Sequence, residues 1–202
     1  MNKILKTFAA CFIGLLPVAT FAKTSEAEQV RKIIDKVNQH WQAENKPEVR
    51  SFWDNAAYHT GNMEAYFLTG NETYRAYSEA WAKHNEWKGA KSNDRSQWKY
   101  SYGESDEYVL FGDYQICFQT YADLYNLAPE DYKIKRAREV MEYQMSTPQN
   151  DYWWWSDGLY MVMPVMTKLY KITHNSLYLD KLYEYITYSD QIMFDKEENL
   201  YY

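Results

Sequence analysis

Apolar residues recur at helical spacing along nearly the whole chain. Val30, Ile33, Ile34, Val37 and Trp41 mark one face of a helix predicted over 26–41. A polar break containing Pro47 follows, and Asp54 or Asn55 then reads as the cap of a second helix that runs to about Leu68. The segment 69–72 is a turn. Tyr74, Tyr77, Trp81 and His84 share a face of a third helix predicted over 73–87. Residues 88–107 are polar and glycine-containing, with Trp98, Tyr100 and Tyr102 spaced through them. They read as a long loop, and long loops in compact domains are often functional. Further helices are predicted over 113–125, 132–145, 157–170 and 176–194, separated by turns at Pro129 and His174 and by a loop over 146–155.

The turns repeat. Thr69-Gly70-Asn71-Glu72-Thr73-Tyr74 and Thr173-His174-Asn175-Ser176-Leu177-Tyr178 share the pattern T-x-N-x-x-Y, and Pro129-Glu130-Asp131-Tyr132 holds the equivalent place less faithfully. Each turn joins an aromatic-rich first helix to a more amphipathic second one, so the unit is a helical hairpin of about fifty residues. Stacked hairpins build either an open solenoid or a closed double ring. The first helices, such as DYQICFQTYADLY, are apolar nearly all round and are expected to be buried on both sides. That pattern predicts an all-α double ring with the first helices inside. The N-terminal ends of the inner helices then meet at one mouth, bringing Asp54, Tyr58, His59, Asp113, Trp155 and Asp157 towards one another.

Composition narrows the function. The chain of 202 residues is 46% hydrophobic and 18% aromatic, with 21 tyrosines and 8 tryptophans, which suits both a core and a sugar-binding cleft. A net charge of -6 gives no electrostatic footprint for nucleic acid. Met1–Ala22 has the lysines, the apolar run and the small residues of a secretory signal peptide cleaved after Ala22, so a secreted or periplasmic protein is expected, with 23–202 as its mature domain. No segment reads as a membrane span. The mature chain then holds a single cysteine, Cys117, which forms no internal disulfide. His59 has no partner at metal-ligand spacing, and no cofactor motif occurs, so neither metal nor cofactor is predicted.

The stretch DYWWWSDGLYMVMPVMTKLY, beginning at Asp151, concentrates the candidate chemistry. Three tryptophans run into Asp157. A carboxylate beside so much indole is expected to be poorly solvated, and desolvation raises its pKa towards that of a proton donor. The plain alternative is that Ser156 or Asp157 caps a helix while the tryptophans fill a core. Asp54 and Asp113 also fit helix caps, His59 fits a satisfied core histidine, and Met161, Met163 and Met166 fit core packing.

Trp155-Ser156-Asp157-Gly158-Leu159-Tyr160-Met161, followed by Pro164, resembles the W-x-D-[GA]-L-[FY]-M segment of glycoside hydrolase family 105, the unsaturated rhamnogalacturonyl hydrolases, which are related to the unsaturated glucuronyl hydrolases of family 88. The T-x-N-x-x-Y repeats and the Tyr58-His59-Thr60-Gly61 segment resemble that family too. The resemblance implies an (α/α)6 double toroid of which this chain holds about the first half, and it leads one to expect a truncated N-terminal part. It implies hydrolysis of a 4,5-unsaturated uronic acid from the non-reducing end of oligosaccharides left by lyases acting on pectin or rhamnogalacturonan. By that resemblance Asp157 is the proton donor, Asp113 the second catalytic aspartate, and Trp155, Tyr58, His59, Thr60 and Met161 line the pocket. No basic group for the uronate carboxylate is evident. Two other readings stay open: an ordinary glycan hydrolase on the same toroid, and a non-catalytic helical carbohydrate-binding protein.

Overall fold

The computed structural model describes residues 25–202; the predicted signal peptide lies outside the described residues. The described chain is all-α apart from one small hairpin. Its helices are α1 (Glu26–Glu44), α2 (Trp53–Thr69), α3 (Glu72–His84), α4 (Gly112–Gln115), α5 (Cys117–Leu127), α6 (Tyr132–Ser146), α7 (Ser156–Thr173) and α8 (Leu177–Met193). Ile116 keeps a right-handed helical conformation, so α4 is a first turn set just ahead of α5. The hairpin pairs β1 (Phe194–Asp195) with β2 (Leu200–Tyr201), and Asn199 takes a left-handed φ of 57° in its turn. Two-residue strands are too short to leave a period in the sequence, and they were not predicted.

The helices form two layers of hairpins, α2/α3, α5/α6 and α7/α8. The first helices pack side by side, α2 on α5 and α5 on α7, and α6 packs on α8 in the second layer. The sequence argument for the inner layer holds best at α5, where residues 117–124 are all buried. Phe118, Tyr121, Met141, Val165, Met166, Leu169, Tyr178 and Tyr185 join the core from both layers. The predicted apolar face of α1 behaves differently. Val30, Ile33 and Val37 stay exposed, and Ile33 and Val37 line an open groove of 590 Å³ with Ala57, Gly61 and Leu68 of α2.

The T-x-N-x-x-Y repeat is one turn built twice. In the first copy Thr69 donates to the Ala65 carbonyl at 2.7 Å and accepts from the Asn71 amide at 3.2 Å, while Asn71 accepts from the Thr73 amide at 3.0 Å. In the second, Thr173, Asn175 and Leu177 make the same three bonds at 2.8, 3.3 and 3.1 Å. Gly70 and His174 supply the left-handed residue that ends each first helix. Tyr74 and Tyr178 are buried, and each donates from its hydroxyl to a carboxylate of the preceding outer helix: Tyr74 to Asp35 of α1, Tyr178 to Glu142 of α6. Tyr132, in the weaker middle copy, is exposed and bonds to Glu130 instead.

The end of the third helix and the starts of three others move. The third helix stops at His84, because Asn85 donates its amide to the Val49 and Trp81 carbonyls and the chain turns through positive φ at Glu86 and Trp87. That turn buries the Trp87 ring against Tyr121. The predicted caps are also corrected. Phe52, Phe111 and Trp155 occupy the cap positions of α2, α4 and α7, and Asp54, Asp113 and Asp157 lie inside the first turns. Asp54 still accepts the Asn55 backbone N–H at 2.9 Å within that first turn, whereas Asp113 and Asp157 are not the caps of their helices.

Pro164 lies inside α7 and has no N–H for the carbonyl one turn earlier, that of Tyr160. Gln119 of α5 takes that place, donating its amide to the Tyr160 carbonyl at 3.0 Å and the Met161 carbonyl at 2.9 Å. The inner helices are thus joined by a polar bond where α7 lost one of its own. Gln119→Leu should destabilise the protein by about 1–3 kcal/mol, because a buried carbonyl loses its donor. In a Pro164→Ala background, which restores the helix's own N–H, urea unfolding should record a smaller loss.

Candidate active site

Trp155 organises the mouth. Its indole lies against two glycines, one in the first turn of α4 and one in the first turn of α7. A Cβ on Gly112 would come within 3.0 Å of the indole, and one on Gly158 within 3.3 Å. With glycine at both positions the ring sits flush on both backbones and draws the helix starts together. Phe111 and Trp154 close on the same indole, with centroids 4.9 Å away in each case. The residue next to Gly112 is Asp113, and the residue before Gly158 is Asp157. The two glycine contacts therefore fix the two aspartates relative to each other.

The aspartates differ in environment. Asp113 is only 6% exposed, whereas Asp157 is exposed at the mouth. Burial pushes the Asp113 carboxyl up to about 6, and the negative charges of Asp157, Glu104 and Asp54 push the same way. These effects gather the starts of α2, α4 and α7 and the long loop into one carboxylate-rich mouth. The nearby guanidinium is Arg50, paired with Asp54 at 3.0 Å and Glu104 at 2.7 Å and lying over the Phe52 ring at 4.5 Å.

The expectation that Asp157 is the desolvated carboxylate is corrected. The three tryptophans diverge: Trp153 is buried against Tyr185, Trp154 turns outward, and Trp155 lies beneath the glycines. None of them shuts water away from Asp157. Asp113, which carried the weaker motif, is the carboxylate that burial perturbs.

The other predicted residues scatter. Tyr58 turns to α1, stacking on Trp41 at 4.5 Å and donating to Asn38 at 2.9 Å; burial raises its hydroxyl to about 12. His59 is buried between α2 and α3, stacked on Trp81 at 4.0 Å and bonded to Ser78 at 3.0 Å. Burial lowers its pKa to about 3, so it is a neutral core histidine. Neither ring is placed at the mouth, because helical rotation carries consecutive residues to other faces. Thr60 reaches α7 and shares a 3.0 Å hydrogen bond with the exposed Tyr160 hydroxyl. Met161 is a buried core residue of α7 itself, the helix that Trp155 caps. Glu104 and Arg50 were not singled out in the sequence. The i, i+4 spacing of Arg50 and Asp54 was the readable signal, but nothing local marks Glu104, which arrives from the long loop.

A two-layer stack of helical hairpins with coupled carboxylates and indole rings at the inner-helix starts is the build of a helical glycosidase. The sequence profile of Glycosyl Hydrolase Family 88 matches residues 26–202, and the chain belongs to that family. It is 27% identical over 158 residues to an unsaturated 3S-rhamnoglycuronyl hydrolase of Formosa agariphila, a match that covers 74% of this chain and 39% of the relative. Among solved structures, a family 88 glycosyl hydrolase from Bacteroides vulgatus is 63% identical with a TM-score of 0.86, over 87% of this chain and 51% of that one. A protein described as a polysaccharide lyase is 70% identical with a TM-score of 0.86, over 88% of this chain and 50% of that one. The chain thus spans about half the length of the solved structures it matches.

The perturbed carboxyl makes a signed prediction. The Asp113 pKa of about 6 lies above its ordinary 3.8, so the folded state holds the proton more tightly than the unfolded chain. The ionised group costs stability above about pH 6, and that cost disappears below about pH 4. Asp113→Asn should therefore raise stability by on the order of 1–2 kcal/mol at about pH 8 and leave it unchanged near pH 4. Urea titrations at the two pH values measure the difference.

Proposed function

We propose that this chain carries the proton-transfer part of a site that removes a 4,5-unsaturated uronic acid from the non-reducing end of lyase-generated oligosaccharides, as in the family 105 and family 88 uronyl hydrolases. The observation that carries the reading is the pair Asp113 and Asp157, each the chain neighbour of a glycine that packs on the Trp155 indole, with the Asp157 charge acting on Asp113. In this reading Asp157, open to the mouth, delivers a proton to C4 of the enol ether. Water adds at C5 and gives its proton back to Asp157. The hemiketal then opens, and the neighbouring sugar leaves as an alcohol. Asp113 stands beside the step with its own carboxyl raised to about 6, by burial first and by the Asp157 charge second. The relative from Formosa agariphila, an unsaturated 3S-rhamnoglycuronyl hydrolase, supports this substrate class. The predicted leader fits export to the compartment where such fragments arise.

A second reading comes from the 70% identity to a protein described as a polysaccharide lyase. A lyase would make the enol ether rather than consume it. A single assay separates the two, since the ultraviolet absorbance of the enol ether falls under a hydrolase and rises under a lyase. It is measured on the chain and on a chimaera completed by the second half of the Bacteroides vulgatus structure. Loss of absorbance on a lyase digest of pectin is the expected result. Asp157→Asn should cut that rate by about 10²–10⁴-fold, the usual worth of a positioned acid–base group. The wild-type rate should fall as pH rises through about 6, where Asp113 loses its proton. A rise in absorbance, or a near-normal rate in Asp157→Asn, sinks the hydrolase assignment.

A further inference from the structure

Beside the mouth lies an open groove of 620 Å³ lined by Trp98, Lys99, Tyr100, Ser101, Tyr102 and Trp154. Two of its rings face solvent: Trp154 is 42% exposed and Tyr102 is 67% exposed. Large rings normally bury themselves, and an exposed group of them marks a binding surface. These rings are also held in place. Phe111 stacks on Trp154 at 6.4 Å and meets Tyr102 edge-on at 6.0 Å. Trp154 in turn contacts Trp155 at 4.9 Å, so one aromatic strip runs from the aspartate pair out to Tyr102.

The floor of the groove is rigid. Trp98 donates its indole N–H to the Ser92 carbonyl at 3.1 Å and lies under the Arg136 guanidinium at 4.9 Å. Tyr100 packs edge-on to Tyr152 at 4.8 Å and donates to Asp151 at 3.3 Å. The loop carrying Tyr102 is pinned by Tyr114, whose hydroxyl donates to the Glu104 carbonyl, and by Gly103 lying flat on the Tyr108 ring. A preorganised surface loses little entropy when a ligand lands on it.

Charge selects the ligand. The cation lining the groove, Lys99, has its ammonium over the Tyr108 ring at 5.3 Å. Glu107 and Asp151 flank the same loop surface, Asp151 through its bond to Tyr100, while Glu104 is paired with Arg50. A sugar carboxylate here would meet Glu107 and Asp151 against the single ammonium of Lys99, so the local charge is net negative. The C–H faces of an uncharged pyranose would instead lie on the two exposed rings.

We propose that this groove is a saccharide platform that takes neutral sugar residues of the chain whose end sits at Asp113 and Asp157. The assignment rests on the glycosidase reading of that mouth. It extends that reading by giving the groove a ligand class, uncharged pyranoses, and by making Trp154 and Tyr102 determinants of chain-length preference.

The test is calorimetric titration of the 202-residue chain and of Trp154→Ala, Tyr102→Ala and Trp154→Phe. The probes are a saturated neutral tetrasaccharide, its disaccharide, and a saturated tetragalacturonate. None of them contains an enol ether, so binding reports the platform whether or not the hydrolase assignment stands. The neutral tetrasaccharide should bind more tightly than either other probe. Trp154→Ala and Tyr102→Ala should each weaken it by about fivefold, Trp154→Phe should restore most of the affinity, and the disaccharide should change little. The proposal is overturned if the neutral tetrasaccharide does not bind, if both alanine variants bind it as the wild type does, or if tetragalacturonate binds as tightly. Thermal unfolding of each variant checks that the exposed substitutions leave the fold intact.

Discussion

The mouth depends on one packing contact, an indole held flat against two glycines. Trp155 touches both the start of α4 at Gly112 and the start of α7 at Gly158. Any side chain at either glycine would have to displace part of the largest ring a protein carries. Because each catalytic candidate is the direct chain neighbour of one of these glycines, this contact sets the separation of Asp113 and Asp157. It also places an apolar surface beside them. The chemistry inferred for the pair is therefore a result of close packing first and of charge second.

The rest of the inner layer supports that contact from below. Gln119 binds α7 to α5 at the carbonyls exposed by Pro164, less than two turns beyond Asp157. A polar side chain is costly in a helix interface unless it is satisfied, and here it satisfies a deficit that proline created. The result holds the start of α7 from two sides, through an indole and through an amide.

The hairpin stack was legible in the sequence because it rests on local rules. Helical spacing, turn residues and the all-round apolar character of the α5 segment each reflect contacts within one hairpin or between neighbours. The coupled aspartates were legible through the W-x-D-G-L-Y-M segment and the Gly112-Asp113 helix start. What failed depended on rotation and solvent. Tyr58 and His59 are adjacent in sequence to the first inner-helix start, yet their side chains turn to α1 and α3. The triple tryptophan suggested a dry Asp157, but the chain leaves each ring in a different place, and burial falls on Asp113. Glu104 enters the mouth from twenty residues of loop, and no local pattern specifies where such a loop ends up.

The twin Thr–Asn–Tyr turns close the C-terminal ends of α2 and α7, a helix length of roughly 25 Å from the aspartates at the opposite ends. Each turn carries its own hydrogen bonds, and its tyrosine clasps the outer helix before it. The stack is therefore buttoned along one rim, while the other rim, which bears the loops, is joined by the Trp155 contact and by buried loop residues such as Trp98 and Phe111. The exposed residues of that rim, Tyr102 and Trp154 among them, can exchange aromatic for polar side chains while the buried loop residues keep the hairpins together. A scaffold divided in this way can acquire a new sugar preference by rebuilding one rim alone.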